Sequence, residues 1–152
     1  MRAPSSCRGF TLAELVMVVA LIAVLAAMAL PVAKFTVKRE REAELRLALR
    51  QIRTAIDEYK RMSDQGLIPV KIGGEGYPES LEELVEGVEI VGQETKMRFL
   101  RRVPVDPMTR DEWVLRSYQD DPDATTWGGE NVYDIRTSSE GIAIDGTKYA
   151  DW

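Results

Sequence analysis

The sequence predicts an α+β protein in which a long N-terminal α-helix packs on a small antiparallel β-sheet body. Three observations support this class. Residues 10–30 form an apolar run with a single charge, the next segment keeps a helical spacing of apolar residues as far as Met62, and short alternating segments divided by Gly and Pro follow Gly66. The pattern thus changes from the period of a helix to that of short strands.

The apolar run of residues 10–30 is long enough to cross a membrane. As a helix it spans about 31 Å, which is the thickness of a hydrocarbon core. The alternative is a cleaved secretory signal peptide, with Arg2 and Arg8 as its basic region and a cut near residues 26–29. We favour a retained segment, because the run is longer than the apolar part of most such signals and the helical period continues beyond Pro31.

Glu14 lies near the beginning of this run. A carboxylate within a membrane-length segment costs on the order of a few kcal/mol unless it is paired. Two explanations are open at this point. The side chain can reach the water at the membrane surface, or it can pair with a cation supplied from elsewhere.

The segment from Val32 to Met62 is expected to continue the helix to about Ser63. Apolar residues recur at three- and four-residue steps with charged residues between them, which indicates one buried and one solvated face. The residues of the buried face are Leu45, Leu49, Ile52, Ile56 and Tyr59. A basic cluster, Lys38 to Arg41, is interrupted by Glu40 and followed by Glu42 and Glu44, and we assign this stretch to a solvated helix face.

The remaining residues, 66–152, are predicted to form a small body of mixed structure. Pro78 begins a short amphipathic helix that ends near Val85. Three stretches alternate as strands do, and they are Trp113 to Tyr118, Asn131 to Thr137 and Gly141 to Ile144. We expect these strands to lie against the long helix.

Composition excludes several classes of function. The net charge of −5 argues against a nucleic-acid partner, because phosphate contacts require clustered Lys and Arg. The chain has no histidine and Cys7 is its only cysteine, which excludes disulfides, cysteine zinc sites and nucleophile–imidazole pairs. The acids lie in turns and on helix faces, so no tuned general acid is evident and an enzyme is not expected.

The string Gly-Phe-Thr-Leu-Ala-Glu, followed by apolar residues and Pro31, resembles the leader and N-terminal helix of type IV pilins and type II secretion pseudopilins. This resemblance implies that a prepilin peptidase cuts between Gly9 and Phe10 and methylates the new amine of Phe10. It also implies a pilin-like fold. The implied parts are a leader (1–9), a membrane and filament-core helix (10–30), its amphipathic continuation (31–65) and a periplasmic α/β body (66–152).

The resemblance also implies a partner for Glu14. In the family, the acid at the fifth mature position pairs with the terminal amine of a neighbouring subunit, so Glu14 is expected to act in assembly. The protein would cross the bacterial inner membrane once, with its body in the periplasm. Its implied partners are further copies of itself, minor pseudopilins, the prepilin peptidase and the inner-membrane assembly platform, with no nucleic acid.

A second resemblance lies in the body. The stretch LRRVPVDPMTRDEWVLRSY and the terminal DGTKYADW look like the body of major pseudopilins, and no cysteine follows the leader, whereas type IVa major pilins usually have a C-terminal pair. The implied function is a subunit of the periplasmic pseudopilus that drives protein export by type II secretion. A type IV pilus subunit for adhesion, motility or DNA uptake is the alternative, followed by a membrane-anchored binding module that does not polymerise.

Major pseudopilins of this kind hold a calcium ion in the C-terminal loop, which implies a calcium site here. Hard cations take several carboxylate and carbonyl oxygens. The candidate ligands are Asp145 and Asp151, with Ser139 and Glu140 nearby. The acidic loop of residues 120–123 is a further candidate for a cation, but a solvated turn is the favoured interpretation, because Asp and Gly are good turn residues.

Overall fold

A computed structural model describes most of the 152-residue chain. The described residues are 9–70, 75–92, 95–122, 124 and 126–152, and for residues 28–33 the description covers the backbone alone. Of the predicted leader, only Gly9 lies inside these ranges. The fold is α+β, with a long N-terminal helix and two small antiparallel sheets, as the sequence predicts.

The regular secondary structure of the described residues consists of two helices, four short strands and a terminal 3-10 turn. In chain order they are α1 (Leu12–Asp64), α2 (Leu81–Glu86), β1 (Val88–Glu89), β2 (Lys96–Met97), β3 (Val114–Arg116), β4 (Asp134–Arg136) and the turn Tyr149–Asp151. Strand β1 pairs with β2, and β3 pairs with β4 with Leu115 opposite Ile135. Both pairs are antiparallel.

The chain divides into two compact units, and the division falls inside α1. The first unit ends at Arg39, and the second, which is the body, is Glu40–Trp152. The C-terminal part of α1 therefore belongs to the body and supplies one side of its core.

The predicted apolar face of α1 is confirmed. Leu45, Leu49, Ile52, Ile56 and Tyr59 are all buried in one hydrophobic cluster. The rest of the body contributes Leu84 of α2, Trp113, Val132 and Ile135 of β4. Because these residues leave water together, their burial is the main force that holds the helix on the two sheets.

The short helix begins later than predicted. It starts at Leu81 and not at Pro78, because Ser80 takes an extended conformation and its side chain accepts a hydrogen bond from the N–H of Glu83 at 3.3 Å. The carboxylate of Glu83 in turn accepts the N–H of Glu79 at 2.8 Å. This capping arrangement satisfies two N–H groups and fixes the first turn of the helix.

The third predicted strand, Gly141 to Ile144, is wrong. This stretch makes only an isolated bridge between Ile142 and Lys148. The reason is a tight reversal, in which the N–H of Ala143 donates to the carbonyl of Thr147 at 2.7 Å and Gly146 adopts a φ of 88°. Such a φ suits glycine, and the chain folds back before a strand can form. The other two predicted strands exist in shorter form as β3 and β4.

The assignment of Glu42 to the solvated face is also wrong. Its side chain is buried, and one carboxylate oxygen accepts hydrogen bonds from the N–H of Ile144 at 2.8 Å and the hydroxyl of Tyr149 at 2.9 Å. Burial and this carboxylate raise the pKa of Tyr149 to about 12. Glu42 thus ties the C-terminal segment to α1. Its neighbour Glu44 is exposed, as predicted.

Candidate processing and assembly site

Thr11 sets the start of α1 and the position of Glu14. The backbone N–H of Glu14 donates to Oγ1 of Thr11 at 3.3 Å, and the N–H of Leu15 donates to the carbonyl of Thr11 at 3.1 Å. Thr11 is therefore the residue that caps the helix, and Glu14 lies in its first turn. The spacing Thr-x-x-Glu is that of a capping box, a sequence signal that the resemblance to pilins does not use.

Gly9 and Phe10 precede the helix and are open to solvent. The side chain of Phe10 is 79% exposed, and a Cβ added at Gly9 would meet no described atom within 4 Å. The fold therefore places no steric demand for glycine at position 9. A requirement for glycine at this position would have to come from another molecule that binds the junction between Gly9 and Phe10.

The first part of α1 exposes a long apolar surface. Several of its large side chains are more than half exposed, and they include Leu12, Leu15, Met17, Ile22 and Leu25. A contiguous apolar surface of this kind is rare on soluble proteins and marks an interaction with lipid or protein.

Among the described residues, no helix combines the length and the apolarity that crossing a membrane requires.

The carboxylate of Glu14 has no ion-pair partner among the described residues. An acid in the first turn of a helix is favourable by itself, by about 0.3–1 kcal/mol, because it faces the positive end of the helix dipole. The position of Glu14 thus has a local explanation that does not require a second molecule. If Glu14 acts only in its own helix, its loss should weaken the first turn of α1, whereas if it pairs with a second subunit, its loss should prevent assembly.

The predicted calcium ligand Asp145 is engaged by the protein itself. Its Oδ1 accepts hydrogen bonds from the N–H of Thr147 at 3.0 Å and from the Thr147 hydroxyl at 2.6 Å, and its Oδ2 contacts the Arg46 guanidinium at 3.2 Å. Hydrogen bonds from Thr147, with the charge of Arg46, lower the pKa of this carboxyl below its usual value. Arg46 also stacks over the Trp152 ring, 4.1 Å from its centroid.

The other predicted ligands do not complete a site around Asp145. Asp151 lies exposed in the terminal 3-10 turn, Glu140 is exposed, and the hydroxyl of Ser139 accepts the N–H of Gly141. In the described part of the chain, no group of three or more acidic, histidine or cysteine side chains could hold a metal ion. These residues fit a calcium ion poorly, since a cation already occupies one side of Asp145. The structure does not test the calcium prediction directly, but this geometry favours a loop that binds no calcium.

We expect the melting temperature of the full-length protein in detergent to be the same with calcium and with a chelator. The reason is that Arg46 and Thr147 already satisfy Asp145, whereas a bound ion would stabilise the fold by RT ln(1 + [L]/Kd), about 2.7 kcal/mol at a hundredfold excess over Kd. Scanning fluorimetry measures this. A calcium-dependent rise that is lost in both Asp145→Asn and Asp151→Asn would contradict it and locate the ion in the C-terminal loop.

The second acidic loop is closed by one of its acids. Oδ2 of Asp120 accepts the N–H groups of Ser117 at 2.7 Å and Gly128 at 3.1 Å. A Cβ at Gly128 would lie 2.5 Å from Oδ1 of Asp120, so glycine permits this close approach. Asp121 is exposed, and Asp123 lies outside the described residues. The loop has the hydrogen bonds of an ordinary turn.

Comparison with known families gives a match to the N-terminal segment. A family model described as the prokaryotic N-terminal methylation motif matches residues 4–30, the stretch that contains Gly9, Phe10 and Glu14. The comparisons with curated proteins and with solved structures found no match. The chain thus carries a type IV pilin-like prepilin signal, which suggests a pilin-like or pseudopilin subunit without separating the two. The motif implies processing by a prepilin peptidase and polymerisation into filaments, and it is typical of structural subunits.

Proposed function

We propose that this protein is a pseudopilin, a structural and non-enzymatic subunit of the periplasmic pseudopilus that drives protein export by type II secretion. The single observation that supports a pilin-like subunit is the methylation motif over residues 4–30, which does not separate pseudopilin from pilus subunit. In this proposal the peptidase cuts between Gly9 and Phe10 and methylates the amine of Phe10. The apolar run of residues 10–30 then holds the subunit in the bacterial inner membrane, with its body in the periplasm.

The choice of pseudopilus over pilus rests on the body. No cysteine follows Cys7, so the C-terminal disulfide usual in type IVa major pilins cannot form. The Leu-Arg-x-x-Pro-x-Asp-Pro run, residues 100–107, resembles that of major pseudopilins. A type IV pilus subunit for adhesion, motility or DNA uptake is the second candidate. The proposed partners are further copies of the chain, minor pseudopilins, the prepilin peptidase and the inner-membrane assembly platform.

The proposed role of Glu14 is to pair with the methylated amine of Phe10 in a neighbouring subunit. Two features support it. Glu14 has no ion-pair partner among the described residues of its own chain, and the sequence from Leu15 to Leu30 contains no charge. In a low-dielectric filament core, an unpaired carboxylate is costly, whereas a charge pair with good geometry offsets that cost. The pair forms only when two subunits are in register.

We expect Glu14→Ala to leave the protein inserted and cleaved but to abolish filaments. Removal of the charge makes insertion easier, so the loss must arise when subunits join. Electron microscopy of sheared filaments and intact-mass measurement of the membrane fraction test the two halves of this expectation. In a strain whose own copy carries the substitution, the proposed function further predicts that exported proteins remain in the periplasm.

Thr11→Ala is the matched control for the local explanation of Glu14. It removes the helix cap, at a cost of about 1 kcal/mol to the first turn, and retains the acid. We expect Thr11→Ala to form filaments. If Thr11→Ala and Glu14→Ala lose filaments equally, helix capping explains both residues and the intersubunit pair is unsupported.

The Glu14→Ala strain also separates the two candidate functions. Normal protein export together with loss of retractable surface fibres in that strain would favour the type IV pilus.

A further inference from the structure

The body exposes two surfaces of opposite net charge. The first, which we term the basic groove, lies between α1 and the segment of residues 99–107 and has a volume of about 870 Å³. Its defining residues are Leu47, Arg50, Arg101, Arg102 and Val105. The second, which we term the acidic face, lies on and beside α2. Its defining residues are Val70, Glu82, Glu86 and Glu89.

The charged side chains that define each surface are exposed to solvent. Among the described residues, no ion pair involves Arg50, Arg101 or Arg102, and none involves the three defining glutamates of the acidic face. Each surface includes one charge of the other sign among its described lining residues, Glu44 in the basic groove and Lys96 at the acidic face. The net signs of the two surfaces are therefore opposite.

Each surface also exposes apolar side chains beside its charges. Val105 in the basic groove is 67% exposed and Leu47 is 54% exposed, while Val70 at the acidic face is 57% exposed. An interface needs such a combination, since apolar contact supplies burial and complementary charges supply orientation and register. The two surfaces match each other in both respects.

The surfaces lie at different heights along α1. The basic groove includes helix residues between Glu44 and Thr54, whereas the acidic face includes Tyr59 and Ser63 of the same helix. The middles of these two sets are about 12 residues apart, or about 18 Å at 1.5 Å per residue. In a filament whose long helices lie parallel, a contact between the two surfaces would shift each added subunit along the helix axis by about this distance. Such a head-to-tail contact does not close on itself and builds an open filament.

We propose that the acidic face of one subunit docks in the basic groove of a second copy of this chain. This inference rests on the proposed function, since it names the body contacts that would accompany the pairing of Glu14. The salt dependence of such a contact follows from its exposed charges, which are screened at high ionic strength.

Cysteine cross-linking in the full chain tests the contact. The host is a strain in which the Cys7→Ser chain forms filaments. It expresses Glu86→Cys alone, Arg101→Cys alone, the two single variants together, or one chain that carries both substitutions. A bismaleimide then joins cysteine thiols that lie close together. We expect each single variant to stay monomeric on a denaturing gel. Co-expression of the two singles should give a dimer, and the double variant should give a ladder, because every chain then has both halves of the contact.

The matched control replaces Glu86→Cys by Glu140→Cys, an exposed acid outside the acidic face. In cells that form filaments, Arg101→Cys should cross-link more strongly to Glu86→Cys than to Glu140→Cys. Equal or weaker cross-linking to Glu86→Cys would overturn the contact and leave the proposed function standing. Cross-linking of Arg101→Cys to a different protein alone would also overturn it. Absence of filaments from the unsubstituted chain in its own host would instead count against the proposed function.

Charge reversal gives an independent readout. Arg101→Glu with Arg102→Glu should abolish filaments, and so should Glu82→Arg with Glu86→Arg, because like charges then face each other. The chain with all four substitutions should regain filaments. If it does not, while far-UV circular dichroism shows a folded protein, the pairing of these two surfaces is wrong.

Discussion

The Gly9→Val protein is expected to accumulate entirely as the uncut precursor. In the proposed function, the peptidase cuts after Gly9, and a β-branched side chain next to the scissile bond would not fit an active site that accepts glycine. The structure offers no competing reason for a defect. Position 9 is exposed and a Cβ there meets no described atom within 4 Å, so valine should leave the folded chain unchanged.

Intact-mass measurement of the membrane-bound protein checks this expectation directly. The unsubstituted chain should lose residues 1–9 and gain one methyl group, while Gly9→Val should keep the full sequence and gain none. Gly9→Ala is the matched control, because its single methyl group adds little bulk and we expect it to be cut at least in part. A mature protein that begins near Pro31 would contradict the prediction, since that is the product of a secretory signal peptide.

Uncut precursor should also fail to assemble. Without cleavage Phe10 has no free amine, so the proposed partner of Glu14 does not exist in any copy of the chain. The expected phenotype of Gly9→Val is therefore the same loss of filaments as that of Glu14→Ala, although the two proteins differ in mass. Filaments built from uncut Gly9→Val subunits would show that assembly does not require the free amine of Phe10.

The long helix could be predicted from sequence because its signal is repeated over many turns. Leu45, Leu49, Ile52, Ile56 and Tyr59 all fall on one face, and burial follows from that period alone. The processing junction and Glu14 could be predicted because they stand in a fixed short string before an apolar run. Both signals are local in the chain.

What sequence could not provide depends on contacts between residues far apart in the chain. Glu42 follows a charged cluster and looks solvated, yet Ile144 and Tyr149, about a hundred residues later, bury it and hydrogen-bond to it. Strands β1 and β2 have two residues each, too few for any alternation to be visible. The ion pair between Arg46 of α1 and Asp145 also joins residues about a hundred positions apart, so no local sequence pattern indicates it.

Asp106 is a second residue whose role is set by distant contacts, although the sequence marks its position in the Val-Asp-Pro-Met-Thr string. Its side chain is fully buried. Oδ1 accepts the N–H of Met108 at 2.8 Å, and Oδ2 accepts the hydroxyls of Thr109, at 3.1 Å, and of Thr137. Thr137 directly follows β4 and is itself buried. Asp106 thus joins the segment of residues 99–107 to the second sheet.

Asp106→Ala is expected to lower the free energy of unfolding by about 3 kcal/mol or more, because the buried Thr137 hydroxyl and the Met108 N–H lose their acceptor and each buried donor left unsatisfied costs about 1–3 kcal/mol. This corresponds to a fall of roughly 10 °C or more in melting temperature for a domain of this size. Tryptophan fluorescence is a suitable probe, since one of the three tryptophans, Trp113, donates its indole N–H to the carbonyl of Pro104 at 2.7 Å beside the affected segment. Asp111→Ala is the control, because Asp111 is exposed and near in sequence.

The Asp106 substitution should separate folding of the body from processing of the N-terminus. Cleavage and methylation depend on residues near Gly9, so the Asp106→Ala protein is expected to show the mature mass. Filaments, however, should be lost near the lowered melting temperature, because the segment of residues 99–107 forms one side of the basic groove. Asp106→Asn retains one acceptor oxygen, so its melting temperature should lie between those of Asp106→Ala and Asp111→Ala. Equal melting temperatures for Asp106→Ala and Asp111→Ala would show that the buried carboxylate does not hold this segment in place.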